Sequence, residues 1–186
     1  MTADPLQQSD KTIVLVGLMG AGKTSVGRKL ANMLEMDFVD LDEEISKAAG
    51  CSIEDIFDDY GEEAFRDVEE RVIARLLEEK PQVLATGGGA FMNPRSRPLI
   101  KERGISVWLR ADLDVLVRRT SRRGGRPLLK NKDHRTTLGI LIKERGPVYA
   151  EADIVIDSRG DGPEVTARDI KQALLDFSSP TGQESH

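Results

Sequence analysis

Four short, largely apolar runs punctuate the chain: Ile13 to Val16, Gln82 to Ala85, Ile105 to Leu109 and Asp153 to Ile156. Unbroken apolarity, rather than alternation, predicts strands covered on both faces, the mark of a parallel sheet. Asp37-Phe38-Val39 predicts a shorter fifth strand. Between these runs the apolar period lengthens to that of a helix. Ala64, Phe65, Val68, Val72 and Leu76 recur at three- and four-residue steps, which predicts an amphipathic helix over 62–79, stopped by Pro81. Leu113, Leu116, Val117 and Thr120 predict another, with Asp112 and Asp114 at its acidic start. A last helix is predicted over 164–177, led in by Pro163, with Val165, Ile170, Leu174 and Phe177 as candidate core contacts. A short helix is predicted over 52–59, opened by Cys51. Strands alternating with helices imply an α/β three-layer sandwich around a parallel sheet. In such sheets ligands sit beyond the carboxyl ends of the strands.

The segment beyond the first strand is the most specific chemistry in the chain. Gly17-Leu18-Met19-Gly20-Ala21-Gly22-Lys23-Thr24 satisfies G-x-x-x-x-G-K-[ST], between a predicted strand and a helix running through Leu34. Glycines there let successive N–H groups turn around a polyphosphate, and the helix N-terminus adds positive charge. Gly20, Ala21, Gly22, Lys23, Thr24 and Ser25 are therefore candidate ATP-binding residues. Lys23 is placed to neutralise the β- and γ-phosphates, and Thr24 to reach Mg²⁺. A dinucleotide fingerprint fails, because Ser25 stands where its third glycine belongs.

Composition narrows the partners. The 186 residues, with a formal net charge of −5, suit one domain and argue against a general nucleic-acid binder. A single cysteine excludes an internal disulfide framework and suits a reducing compartment. No apolar run approaches the roughly 18 residues that cross a bilayer. The polar N-terminus lacks an apolar signal core, so a cytoplasmic protein with no membrane contact is expected. No exposed apolar stripe stands out, and a monomer is expected.

A second group of residues lies where an acceptor would bind. Asp40-Leu41-Asp42 follows the short strand, with one carboxylate for a magnesium shell and the other for a substrate hydroxyl; helix capping is the competing use. Arg66 sits on an acidic helix, where Glu62, Glu63, Asp67, Glu69 and Glu70 are candidate partners. Gly87-Gly88-Gly89 follows another strand, and three glycines in a row suggest a ligand pressed on bare backbone. The stretch 118–135 is rich in arginine and lysine and broken by Gly124-Gly125 and Pro127. It reads as a lid that closes Arg126 over a phosphoryl group. Arg145 lies near a helix end. The strand before the glycines carries no Walker-B acid, which leaves more of the metal's binding to Asp40; Asp157 reads as a strand-end cap.

In order and spacing, G-L-M-G-A-G-K-T-S, D-L-D, F-R, G-G-G, R-P-L-L and E-R-G-P-V-Y resemble the shikimate kinase family over 12–177. The resemblance implies a P-loop fold of the nucleoside-monophosphate-kinase type, with a five-stranded parallel sheet in the order 2-3-1-4-5. It implies one kinase domain over 11–177, a substrate-binding helical segment at about 41–70 and a lid at about 121–134, between flexible termini 1–10 and 178–186. The implied reaction is Mg²⁺-dependent transfer of the ATP γ-phosphoryl group to the 3-hydroxyl of shikimate, in aromatic amino-acid biosynthesis. Asp42 is similar to the residue that binds the acceptor hydroxyls and takes the proton, and Asp40 to the aspartate of the magnesium shell. Lys23 and Arg126 resemble the catalytic cations. Arg66 and Arg145 match the clamp on the substrate carboxylate, and Gly87, Gly88 and Gly89 the backbone beside its ring. Arg119 and Pro163 look like the pair flanking adenine. The rival functions, a guanine-nucleotide switch, a kinase of another small alcohol or nucleotide, and a silent nucleotide-binding module, fit fewer of these residues.

Overall fold

The computed structural model describes residues 10–122 and 133–179. Five strands, β1 (Thr12–Val16), β2 (Phe38–Asp40), β3 (Val83–Ala85), β4 (Gly104–Arg110) and β5 (Ile154–Asp157), form one parallel sheet in the order β2-β3-β1-β4-β5. This is the predicted α/β architecture and strand order. Every residue of β1 is buried, as a central strand flanked by β3 and β4 must be. The predicted strand at Gln82 begins one residue later, because Gln82 turns its amide inward onto Leu76 O at 3.2 Å. Asp153 likewise precedes β5. Its Oδ2 accepts from Ser106 N at 2.9 Å and Ser106 Oγ at 3.1 Å, which latches the strand's entrance to β4.

Helices α1 (Lys23–Leu34), α2 (Leu41–Ala49), α3 (Ile53–Glu78), α4 (Ser96–Arg103), α5 (Leu113–Ser121), α6 (His134–Tyr149) and α7 (Pro163–Ser178) supply the crossovers. The chain runs from β1 outward to β2, then reverses through β3, β4 and β5. With right-handed crossovers, that reversal puts α1 on the face opposite the other connecting helices. Helix α7 returns to pack against α1. The strand order turns at β1, so the crevice beyond it is the ligand-binding end of the sheet.

Several elements differ from the pattern. The two helices expected at 52–59 and 62–79 are both present within α3, divided at Gly61, whose backbone (φ 85°, ψ 173°) is not helical. Phe57 and Phe65 meet across the bend with ring centroids 4.7 Å apart. Asp58 and Gly61, which imitate a switch motif, lie inside this helical segment with no strand before them. Helix α4 was not apparent from the pattern because its sequence, SRPLIKER, carries little apolar periodicity. Pro98 is tolerated because first-turn N–H groups have no intrahelical partner. Helix α6 runs through Gly146 and Pro147 to Tyr149. On α7, Ile170 and Leu174 are buried as predicted, but Val165 is 40% and Phe177 51% exposed. Thr166 and Ala167 take the inward face at the start of the helix instead.

Candidate active site

The phosphate loop is built where β1 ends. Gly22 adopts φ 98°, ψ 18° as the N-cap of α1, a left-handed conformation that a Cβ resists. The chain can therefore bend sharply and still begin a helix. Lys23 Nζ donates to Gly17 O at 2.6 Å and Leu18 O at 2.9 Å, so its ammonium sits over the loop rather than in solvent. Thr24 Oγ1 donates to Asp40 Oδ2 at 3.1 Å, across from the end of β2.

Of the two uses open to the D-L-D segment, helix capping falls to Asp40. Asp40 is the N-cap of α2: its Oδ1 accepts from Asp42 N at 2.9 Å and Glu43 N at 3.4 Å. Its other oxygen faces Thr24. Asp42 is thus released from capping by side chain. Its Oδ1 lies 3.2 Å from where a Cβ on Gly87 would stand.

A cavity of about 580 Å³ joins these parts. Gly20, Gly22, Lys23, Thr24 and Ser25 line it on one side, Asp40, Asp42, Thr86 and Gly87 at one end, and Arg119, Ser158, Gly162 and Pro163 at the other. Arg119 reaches across from α5, its Nη1 donating to Gly20 O at 3.1 Å, Ala21 O at 2.9 Å and Ser158 Oγ at 3.2 Å. Pro163 opens α7 at the same end. The basic stretch therefore splits. Arg119 and Arg122 face the cavity, while Arg135 pairs with Asp114 at 2.7 Å and ties α6 to α5. Arg126 and the rest of the expected lid from 123 to 132 lie outside the described residues, as do 1–9 and 180–186. Asp157 does cap a strand end: Arg110 holds it through hydrogen bonds at 2.7 and 3.2 Å, and these keep its carboxyl below the usual range.

Beyond Gly87 the three glycines form a floor, and each meets a different side chain. Asp42 stands at Gly87. At Gly88, Arg145 Nη1 lies 3.3 Å from a would-be Cβ, and at Gly89 Arg66 Nη1 lies only 2.6 Å from one. One glycine would serve a turn, but three admit two guanidinium groups and a carboxylate side by side. The site residues predicted on α3, the glycine segment and α6 are therefore brought together.

Glu69 completes this floor, and its weight was not read from the sequence. It occupies the apolar stripe of α3, four residues after Phe65 and three before Val72, and is fully buried. A carboxylate at a core position is the signal that was available. Its Oε1 accepts from Arg66 Nη1 at 2.8 Å, and Glu62 adds a second contact to Arg66 at 3.5 Å. Glu69 Oε2 and Arg145 Nη1 are buried without hydrogen-bond partners among the described residues. Burying an orphan donor and an orphan acceptor costs stability unless a ligand takes both.

Burial raises the Glu69 pKa above its ordinary 4.5, with Arg66 pulling the other way and Asp42 adding to the rise. Between the unfolded and folded values the native state holds more protons than the unfolded chain. Stability from this residue is therefore full at acid pH and declines as pH rises through the folded value. Glu69→Gln removes that titration. Urea denaturation from about pH 4 to about pH 7 is expected to show the wild type losing stability relative to the variant as pH rises. A gap that widens in favour of the wild type would contradict the assignment.

Tyr149 is a second residue not singled out beforehand. It is buried, its hydroxyl donates to Gly88 O, and burial pushes that hydroxyl up to about 12 against the pull of Arg145.

Comparison with known proteins identifies relatives of the chain. The family signature described as shikimate kinase matches residues 19–175. A shikimate kinase of Paramagnetospirillum magneticum is 54% identical over 167 residues, covering 90% of this chain and 86% of its own. One from Caulobacter vibrioides is 57% identical over 157 residues, 84% and 78% of the two chains. The solved shikimate kinase from Acinetobacter baumannii in complex with shikimate superposes with a TM-score of 0.87 at 40% identity, over 91% of this chain and 95% of that one. A phosphate loop after the central strand, two arginines over a triple-glycine floor and relatives of this closeness lead to one assignment: this chain belongs to the shikimate kinase family.

Proposed function

We infer that this chain transfers the γ-phosphoryl group of ATP to the 3-hydroxyl of shikimate, giving shikimate 3-phosphate and ADP. The observation that carries this reading is the pair of buried, unpartnered atoms, Arg145 Nη1 and Glu69 Oε2, above the glycine floor. A small molecule with a carboxylate and ring hydroxyls offers an acceptor to the first and a donor to the second. Two guanidinium groups suit a planar carboxylate, which they bind in two-point geometry.

Nucleotide enters from the end of the cavity that Arg119 and Pro163 border, with its phosphates at Gly20–Ser25. Arg66 and Arg145 hold the acceptor by its carboxylate, against Gly87, Gly88 and Gly89. Asp42 orients the hydroxyl and receives its proton as the new oxygen–phosphorus bond forms and the bond to the β-phosphate oxygen breaks. The transition state is loose, so alignment and charge supply most of the acceleration. Lys23 contributes that charge. Arg126, outside the described residues, is proposed as the cation closing over the transferred group.

Magnesium fits the oxygens present. Thr24 Oγ1 and Asp40 Oδ2 are hard donors beside the phosphate loop, and Mg²⁺ takes one or two such ligands together with substrate phosphates and water. When bound, the ion neutralises phosphate charge. Asp40 meanwhile keeps its helix cap through the other oxygen. Among the described residues no helix is long and apolar enough to cross a membrane. A cytoplasmic monomer acting on small molecules alone is proposed.

The test is ADP release with ATP and magnesium against a panel of acceptors. Shikimate is expected to support turnover, while gluconate and nucleoside monophosphates leave the rate at background. Equal rates with gluconate, or no rate with shikimate, would overturn the reading.

A further inference from the structure

The glycine floor is held by a side chain that does not line the cavity at the phosphate loop. All three glycine carbonyls are engaged. Gly87 O accepts from Ala90 N at 3.2 Å, and Gly89 O from Met92 N at 3.1 Å, in the short 3₁₀ turn that follows. Gly88 O instead receives the hydroxyl of Tyr149, on a different element. A trans peptide sends its carbonyl and the next N–H in opposite directions. Fixing Gly88 O therefore fixes the plane of the whole Gly88–Gly89 peptide, its N–H included.

Tyr149 is well suited to that task. It is 1% exposed, and its ring stacks on Trp108 of β4 with centroids 5.7 Å apart at 29°. Glycine peptides are the softest in the chain, so an undirected triple glycine would lose much of its order. Tyr149 also follows Arg145 by four residues, on one face of α6. A single helix thus addresses one glycine twice, with the Arg145 guanidinium against Gly88 and the Tyr149 hydroxyl on its carbonyl, and the two side chains also interact with each other.

We propose that Tyr149 is a positioning residue for the acceptor: its hydroxyl holds the Gly88 carbonyl beside the Arg145 side chain, so that floor and guanidinium are presented together, preformed, to the substrate's anionic end. This rests on the reading that shikimate lies over the glycines. The residue acts on acceptor binding and leaves the nucleotide end untouched.

Tyr149→Phe keeps the ring and its stacking and removes only the donor. Its expected effect is a rise of about tenfold in KM for shikimate, with KM for ATP held within about twofold. Leu141→Val loosens the same helix at a buried apolar position and serves as the control. It is expected to lower Tm and leave the ratio of the two KM values unchanged. No rise with Tyr149→Phe, equal rises for both substrates, or the same selective rise with Leu141→Val would each overturn the proposal. If Tyr149→Phe does not fold, wild-type protein labelled at tyrosine Cζ provides the reading by NMR. The Tyr149 resonance, distinguished from Tyr60 with a Tyr60→Phe sample, is expected to move on adding shikimate and stay fixed on adding ADP. A resonance unmoved by shikimate would overturn the proposal. Wild type that phosphorylates no shikimate defeats the proposed activity itself, whereas active wild type with an unselective Tyr149→Phe defeats only the role of Tyr149.

Discussion

Lys23→Met is expected to lower turnover by about a thousandfold or more, the scale of losing a preorganised charge at the transferring group. Methionine preserves the unbranched stem and removes the ammonium. In the structure that ammonium rests on Gly17 O and Leu18 O, at 2.6 and 2.9 Å. It therefore holds the loop's shape before nucleotide arrives, and is expected to exchange those carbonyls for phosphate oxygens afterwards. The variant loses both, so weaker binding of an ATP analogue is expected beside the fall in turnover. ADP release in the presence of shikimate is the measurement. Retention of more than a few per cent of the wild-type rate, with saturating substrates, would mean that the lysine shapes the loop and does no more.

Asp42→Asn is expected to reduce turnover by about 10²- to 10⁴-fold, the range for removing a positioned proton acceptor. The asparagine is nearly the same size, and the backbone N–H at position 42 still donates to Asp40. The cap of α2 and the Thr24–Asp40 contact therefore survive. Titration with an ATP analogue is expected to give wild-type affinity, because the change lies at the acceptor end, beside Gly87. The two variants separate two roles. Lys23→Met damages both nucleotide binding and turnover, and Asp42→Asn damages turnover alone. Collapse of nucleotide affinity in Asp42→Asn would move that carboxylate from proton transfer to metal binding or structure.

The nucleotide half of the site was legible along the chain because its parts are contiguous. A glycine loop between a buried strand and a helix carries most of its geometry within about ten residues, and the positive φ of Gly22 is a local property. The strand order was legible only through resemblance, since apolar runs report burial and not which neighbour covers them. The acceptor half was read as separate fragments: a D-L-D, an arginine, three glycines and another arginine. Each had an ordinary alternative. For D-L-D the capping use is real and falls to Asp40, while the Asp42 side chain does not cap α2. The ends of the α7 stripe differ because Val165 and Phe177 look apolar enough for a core, while Thr166 and Ala167 do not. Which face of a helix is buried depends on how the helix is seated against α1 and β5.

Glu69 and Tyr149 mark the boundary most clearly. On the helix wheel Glu69 is a lone acid in an apolar stripe, and nothing near it in the chain says why it is tolerated. Its reason is Arg66 one turn back together with Arg145, 76 positions onward, and both meet it only because α3, the glycine segment and α6 converge at the carboxyl end of the sheet. Tyr149 reads as a helix-end aromatic until folding sets its hydroxyl under Gly88, 61 residues away. Local backbone chemistry is written in neighbouring residues, so the chain order alone yields a phosphate loop and alternating elements. The worth of a buried charge or hydroxyl depends on partners a few ångströms away that sequence separation does not reveal, and that part was decided only when the sheet brought its loops together.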